Sequence, residues 1–294
     1  MSAAPSLFAP RLARRRFVGG VFTLLCLVFS LFALVVLAML LTRVFAEGWA
    51  YITPHFFTNP PSDLNPERAG IQVAIIGSVL LIGLTGLVAV PVGIGAAVYL
   101  EEYARHGRLS RFIALNIANL AGVPSIVYGI LGLAVFVRWM ALGRSVVSGA
   151  LTMALLALPV IIIASREAIS AVPSSLREAA YGLGATRWQV VRYHVLPAAL
   201  PGMMTGIILA LSRAIGEAAP LILVGAATYV FQAPQGLRDA FTVLPIQIFN
   251  WAEKPDPEFH GLAAGAIIVL LGVLLTMNAA AIGIRAWQQN QKLS

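Results

Sequence analysis

Apolar residues along this chain fall in long unbroken runs rather than in alternating or half-polar patterns. Six runs stand out, at 17–42, 71–99, 112–137, 145–164, 198–224 and 261–284. A helix needs about 20 apolar residues to cross the hydrocarbon of a bilayer. Each run therefore predicts one transmembrane helix. Strands of a membrane barrel would alternate apolar and polar positions, and these runs do not. The expected fold is an all-α integral membrane protein with six transmembrane helices. Residues 1–16 read as a disordered basic tail, 17–45 as the first helix and 286–294 as a closing tail. The first run is about twice the length of a signal-peptide core and is followed by no small-residue cleavage site, so it is expected to stay in place as a span.

Three polar stretches interrupt the runs. Residues 46–70 and 225–260 are rich in Pro and charge and are expected outside the membrane, the second with a short helix at LPIQIFNWA. The third, PSSLREAAYGLGATRWQVVRYHVLP at 173–197, has a pattern of its own. Ser175 with Glu178, and Thr186 with Gln189, each have the spacing of a capping box at a helix start. Gly182 and Gly184 between them are the residues best able to take a positive φ and close a helix. The prediction is a helical hairpin, kept out of the hydrocarbon by Arg177, Arg187 and Arg192. Leu176, Ala179, Ala180 and Leu183 recur at i, i+3, i+4 and i+7, an apolar stripe suited to a groove on a partner. Two readings stand: a docking device for a partner in water, or a structured loop without one.

Composition agrees with the pattern. Of 294 residues 59% are hydrophobic and 11% charged, where a soluble domain carries about 25% charged residues. The net charge of +8 is informative through its distribution. Of twenty Lys and Arg, thirteen fall in the two termini and in the loops at 100–111 and 165–197; six fall in the other loops. Positive loops stay inside, so both termini and the hairpin are expected in the cytoplasm. The excess sets topology, and no nucleic-acid role is assigned to it. The single Cys26 allows no disulfide within one chain. His55, His106, His194 and His260 have no metal-ligand spacing, and no nucleophile–base set is visible. No phosphate-binding G-x-x-x-x-G-K-S/T occurs, so no cofactor is expected on this chain.

The twentieth basic residue, Arg213, lies inside the fifth run with Glu217 four residues on, spaced to share a helical face and pair. Arg213 is fifteen residues beyond Ala198, about 22 Å into a helix at ~1.5 Å per residue. A charge near the bilayer centre costs about 2.5–3.5 kcal/mol on insertion scales, so the pair marks a substrate path or an interhelical clamp. In the third run, AGVPSIVYGI at 121–130, Gly122 and Pro124 weaken the helix. Ser125 then either faces an aqueous path, where a half-helix N-terminus favours an anion, or follows a packing kink. In VPVGIGAAVYLEEYA, Pro91, Gly93 and Gly95 read as tight helix packing. Trp49, Tyr51, Trp139, Trp251 and Trp287, near span ends, read as the aromatic belt.

Glu178-Ala179-Ala180, then Gly184, then Leu196-Pro197 resembles the EAA loop of ABC-importer membrane subunits, with His194 where that pattern usually carries Ile. PVGIGAAVYLEEYA, VPSIVYGILGL and SRAIGEAAPLI, in this order, are similar to the permeases of phosphate-uptake ABC transporters. Glu217-Ala218-Ala219-Pro220 and LPIQIF resemble the A-type branch. The resemblance implies a type I ABC-importer permease fold over about 70–285, with the hairpin as coupling helix. Ser175, Leu176, Arg177, Glu178, Ala179, Ala180, Leu183 and Gly184 would then serve ATPase coupling, and Arg213, Glu217 and Ser125 the path. It further implies a second, C-type permease, two cytoplasmic ATPase subunits that hold ATP and Mg, and an extracytoplasmic phosphate-binding protein. An importer half for sulfate, molybdate or an amino acid, or a membrane-embedded sensor or enzyme, are the alternatives.

Overall fold

A computed structural model of the chain describes residues 12–104, 107–226 and 230–291. Residues 1–11 of the expected basic tail lie outside the described residues, as do 292–294. Every regular element among the described residues is helical. Helix α1 runs Leu12–Gly48 and α2 Pro54–Thr58; α3 spans Gln72–Val98 and continues as a π-helical turn through Tyr103. Then come α4 (Arg108–Ala121) and α5 (Ser125–Gly132), the latter extended to Trp139. α6 is Val146–Ser170, and α7 (Ser174–Gly182) and α8 (Arg187–Val190) make the hairpin. α9 covers Leu196–Ile215, α10 Ala219–Leu221, α11 Leu244–Ala252 and α12 Pro257–Gln291.

Five helices are long and apolar enough to cross a membrane, and α4 with α5 makes a sixth crossing if the bent pair is one span. Contacts at the two ends of α3 and α6 settle that count. Glu101 at the end of α3 pairs with Arg166 near the end of α6, while earlier in α3 Leu81 lies against Gly149 and the Thr85 hydroxyl donates to the Ala150 carbonyl, both near the start of α6. The two helices therefore run parallel, and the chain must recross between them. The predicted 112–137 span is thus not one straight helix: α4 and α5 meet at 100°. The predicted 198–224 span is corrected as well. Its helix stops at Ile215, and 219–226 form a separate short piece after Gly216.

α6 sits at the centre, 61% buried over its most apolar stretch, against 33% for α3 and for α9 and none for α1. Its neighbours approach closely because small residues line the seams. Ala89, Ala97, Ala154, Ala157, Ala199 and Ala210 are all buried there. A Cβ on Gly202 would stand 2.9 Å from the Cβ of Ala168, one on Gly206 still nearer Ala164, and one on Gly93 2.6 Å from Ile161. Gly95, expected to serve packing too, faces open space. Helix α1 packs only along α12 and the turn after it, leaving Phe17, Phe22, Phe29 and Phe32 outward.

The outer segments fold on one another rather than hang free. Trp251 is wholly buried beside Phe56 and is core, which corrects its assignment to the aromatic belt; Trp49 and Trp139 stay exposed. Lys254 pairs with Asp63 at 2.7 Å. The side chain of Trp287 lies outside the described residues.

Gly206→Val pushes α9 off Ala164, and overpacking of this kind costs about 1–3 kcal/mol. The variant is expected to unfold at lower temperature in detergent, while Gly95→Ala unfolds as the parent does. A differential melt of the purified chain checks both.

A cavity between two helix breaks and a cytoplasmic hairpin

Pro124 cannot donate a backbone N–H and pushes the residue before it out of helical conformation. With Gly122 closing α4, the chain turns through 100° and restarts at Ser125. Tyr128 donates its hydroxyl to the Leu120 carbonyl at 2.8 Å, fastening the bend from inside. The second break, at Gly216–Ala218, lies against the first: a Cβ on Gly129 would stand 2.7 Å from Pro220 Cα. The first break borders a cavity of about 330 Å³, lined by 120–125 and Tyr128, by Leu156, Ala157 and Val160 of α6, and by Ala210, Arg213 and Ala214 of α9 just before the second.

Ser125 and Arg213, nearly ninety residues apart in sequence, therefore share one cavity. Glu217 does not line it. Its carboxylate stands 3.7 Å from Arg213 Nε, beyond the 2.7–2.9 Å of a charge-assisted hydrogen bond. The expected pair is present, but not on one helical face, because Glu217 lies past the end of α9. Arg213 occupies the last turn of that helix, where the backbone dipole favours a cation. Its side chain is 68% exposed and Glu217 23%. The guanidinium is thus loosely held, and Ser125 and Tyr128, in the first turn of α5, line the same cavity.

On the cytoplasmic side the hairpin forms, with one correction. Thr186 and Gln189 make the expected capping box. Ser175 and Glu178 do not: α7 starts two residues earlier with Pro173 as its cap, and no side chain caps it. Glu178 is exposed and makes no hydrogen bond or ion pair among the described residues. At the other end Gly184 has φ +83. Gly184 N–H donates to Tyr181 O at 2.9 Å and Ala185 N–H to Ala180 O at 3.1 Å. This is a Schellman closure with Gly184 at its left-handed position. Gly182 remains within the helix.

The apolar stripe divides. Ala180 is buried in the central core, while Leu176, Ala179 and Leu183 are exposed, Leu183 at 91%. Ser175 is also exposed. Arg177 points inward. It donates to Glu102 at 3.0 and 2.8 Å and to the Val172 and Ile169 carbonyls at 2.7 and 2.9 Å. His194 is exposed, and Val190, Val191 and Val195 supply the buried face around it. Sequence reasoning missed Glu101, Glu102 and Tyr103 as partners of this region. Two adjacent acids at a span end opposite a basic loop were the available signal.

The bent α4–α5 pair, the central α6 and the hairpin all fall within residues 89–287, and that stretch matches the family described as Binding-protein-dependent transport system inner membrane component. The chain belongs to that family. It is a multi-pass inner-membrane permease component. The permease is 35% identical over 287 residues to the Phosphate transport system permease protein PstA 1 of Mycobacterium tuberculosis, covering 96% of this chain and 92% of that protein. To the Phosphate transport system permease protein PstA of Yersinia pestis it is 33% identical over 264 residues, covering 90% and 88%. Among solved structures, a bacterial alginate ABC transporter superposes with TM-score 0.63 at 17% identity, over 91% of this chain and 93% of that one. The MetNI methionine ABC transporter superposes with TM-score 0.59 at 18% identity, over 74% and 96%. At such identities these neighbours show the fold, which is the type I ABC-importer permease fold.

Gly184 has no heavy atom within 4 Å of where a Cβ would sit, so conformation rather than space decides what the turn accepts. A left-handed non-glycine residue costs about 1–2 kcal/mol, and Asn tolerates that conformation best. Gly184→Val is expected to loosen the hairpin and speed tryptic cleavage at Arg187, while Gly184→Asn resists as the parent does. Limited proteolysis of inside-out vesicles reads the difference.

Proposed function

We propose that this permease forms half of the translocation path of an ATP-driven phosphate importer. The observation that carries the reading is the cavity at the first helix break, which Arg213 and Ser125 both line. Phosphate near neutral pH carries one to two negative charges and needs donors when it leaves water. A guanidinium offers a fixed fork of N–H groups suited to a tetrahedral oxyanion. Glu217, at 3.7 Å, is near enough to hold the charge between passages and far enough to yield. The anion takes its place at Arg213, and the pair closes behind it. Such a site is weak and transient, and affinity resides in an external binding protein. The names of the relatives support phosphate as the solute.

The cavity has an open side at Arg213, which fits a second, C-type permease supplying the facing wall. On the cytoplasmic side, Leu176, Tyr181, Leu183 and Trp188 present apolar surface outside the membrane. Exposed apolar surface on a rigid hairpin fits a groove on an ATPase. Two such subunits, with ATP and Mg bound to them, would drive the cycle. This chain's part is transport, not hydrolysis.

Uptake of radiolabelled phosphate by a strain lacking this chain, complemented with variants, tests the path. Arg213→Gln is expected to abolish uptake with the complex still assembled. Glu217→Gln is expected to impair it, since the cation loses its counter-charge. Exchanging the two residues is expected to fail, because only position 213 lines the cavity. Full uptake in the exchanged protein would make the pair a structural clamp, and normal uptake in Arg213→Gln would take it out of the path. Excess sulfate or molybdate leaving the labelled uptake unchanged would bear out phosphate as the solute.

Glu178 caps nothing, so its removal has no folding cost to hide behind. Glu178→Ala is expected to melt as the parent does yet retain less ATPase subunit on purification. Unchanged retention would remove Glu178 from the docking surface.

A further inference from the structure

Three consecutive residues at the cytoplasmic end of α3 each grip a different part of the chain. Glu101 accepts two hydrogen bonds from Arg166 of α6, at 2.8 and 2.7 Å. Glu102 accepts two from Arg177 of α7. Tyr103 lies under the guanidinium of Arg187, the first residue of α8, at 5.1 Å. They occupy a π-helical turn, Tyr99–Tyr103, a feature that often marks a functional position within a helix. Glu102 is the most enclosed of these charges, its side chain only 7% exposed. Arg177 also closes the C-terminal end of α6 through the Ile169 and Val172 carbonyls. One guanidinium thus joins α3, α6 and α7.

We propose that Glu102 is a positioning residue for energy coupling: through Arg177 it carries displacement of the hairpin into α3 and α6, and so to the cavity that α6 lines. The inference rests on the reading of the hairpin as an ATPase dock. Backbone continuity alone links the hairpin to α6 and α9, not to α3. The Glu102–Arg177 pair supplies the close, hydrogen-bonded link, with the looser Tyr103–Arg187 contact beside it, and α3 then moves with α6 because Gly93 seats directly on Ile161. Stability is a poor reason for such a pair, since an enclosed ion pair is often no more stabilising than apolar residues in its place. Its value lies in transmitting force through a short, directional contact that a flexible loop could not provide.

The test uses the whole importer in proteoliposomes with its binding protein, measuring phosphate moved per ATP hydrolysed alongside the amount of ATPase retained. In Glu102→Gln the ATPase subunits are expected to stay bound, and uptake per ATP to fall about tenfold, within the usual span of coupling between sites. Adding Glu102→Gln to Arg177→Gln is expected to cost nothing further, because loss of the guanidinium has already broken its link to Glu102. Glu102→Asp keeps the charge on a shorter arm and is expected to fall between parent and Glu102→Gln, and it carries the test should Glu102→Gln fail to assemble. An unchanged ratio of uptake to hydrolysis in Glu102→Gln, or in Glu102→Asp if only that variant assembles, would overturn the proposal, as would additive losses in the double variant. The docking reading is tested apart from this, by cross-linking Leu183→Cys to the ATPase subunit in the otherwise unaltered complex. Absence of that cross-link removes the dock; its presence with an unchanged ratio removes only the role of Glu102.

Discussion

Backbone that leaves helical conformation inside hydrocarbon exposes N–H and C=O groups that no lipid can satisfy. This constraint governs where the chain can break, and the permease breaks twice at membrane depth, at 122–124 and at 216–218. Next to the breaks the chain is packed: Tyr128 and Gly129 after the first and Pro220 after the second are buried, while Gly122, Pro124 and Gly216 themselves are exposed. Gly129 meets Pro220 backbone, and the Tyr128 hydroxyl occupies one of the carbonyls that the first break frees.

The two charges of the fifth run follow from that geometry. In a continuous helix, Arg213 and Glu217 would sit one turn apart and could close a short ion pair on the helix surface. Because α9 ends at Ile215, Glu217 is carried round the turn, and the pair is held at 3.7 Å. The cytoplasmic pairs differ sharply: Glu101–Arg166 and Glu102–Arg177 close to 2.7 and 2.8 Å with their partners largely enclosed. One end of the molecule fixes its charges and the other leaves a cation loosely engaged.

Much of this was legible in the sequence, and the limits have physical causes. Crossing number, hairpin position and the LPIQIFNWA helix follow from hydropathy and turn residues, because both are local signals. Gly184 was legible for the same reason, since only the backbone decides its fit. Thr186–Gln189 and Ser175–Glu178 have equal spacing, yet only the first caps a helix. Pro173, two residues before Ser175, starts α7 early, and spacing alone does not weigh such a competitor. Trp251 misled because a Trp near a span end looks the same in sequence whether it faces headgroups or an outer-segment core. The site divided along the same line: Ser125 and Arg213 could be named singly, but their shared cavity depends on packing across α6.

The inward turn of Arg177 shows why a basic residue in a cytoplasmic loop should not be assigned by charge alone. Its neighbours in the helix, Leu176 and Glu178, face water, and Ala180 one turn on is buried. Position 177 falls between these faces, where a long side chain can turn either way. The Ile169 and Val172 carbonyls at and just past the end of α6 and an enclosed carboxylate after α3 decide the matter, since leaving Glu102 buried and unpaired would cost several times what a surface contact returns. The hairpin accordingly offers a partner apolar side chains and one acid, with its inner cation already committed to the membrane domain. Exposure to water and contact with the spans are thus divided between successive residues of the same short helix.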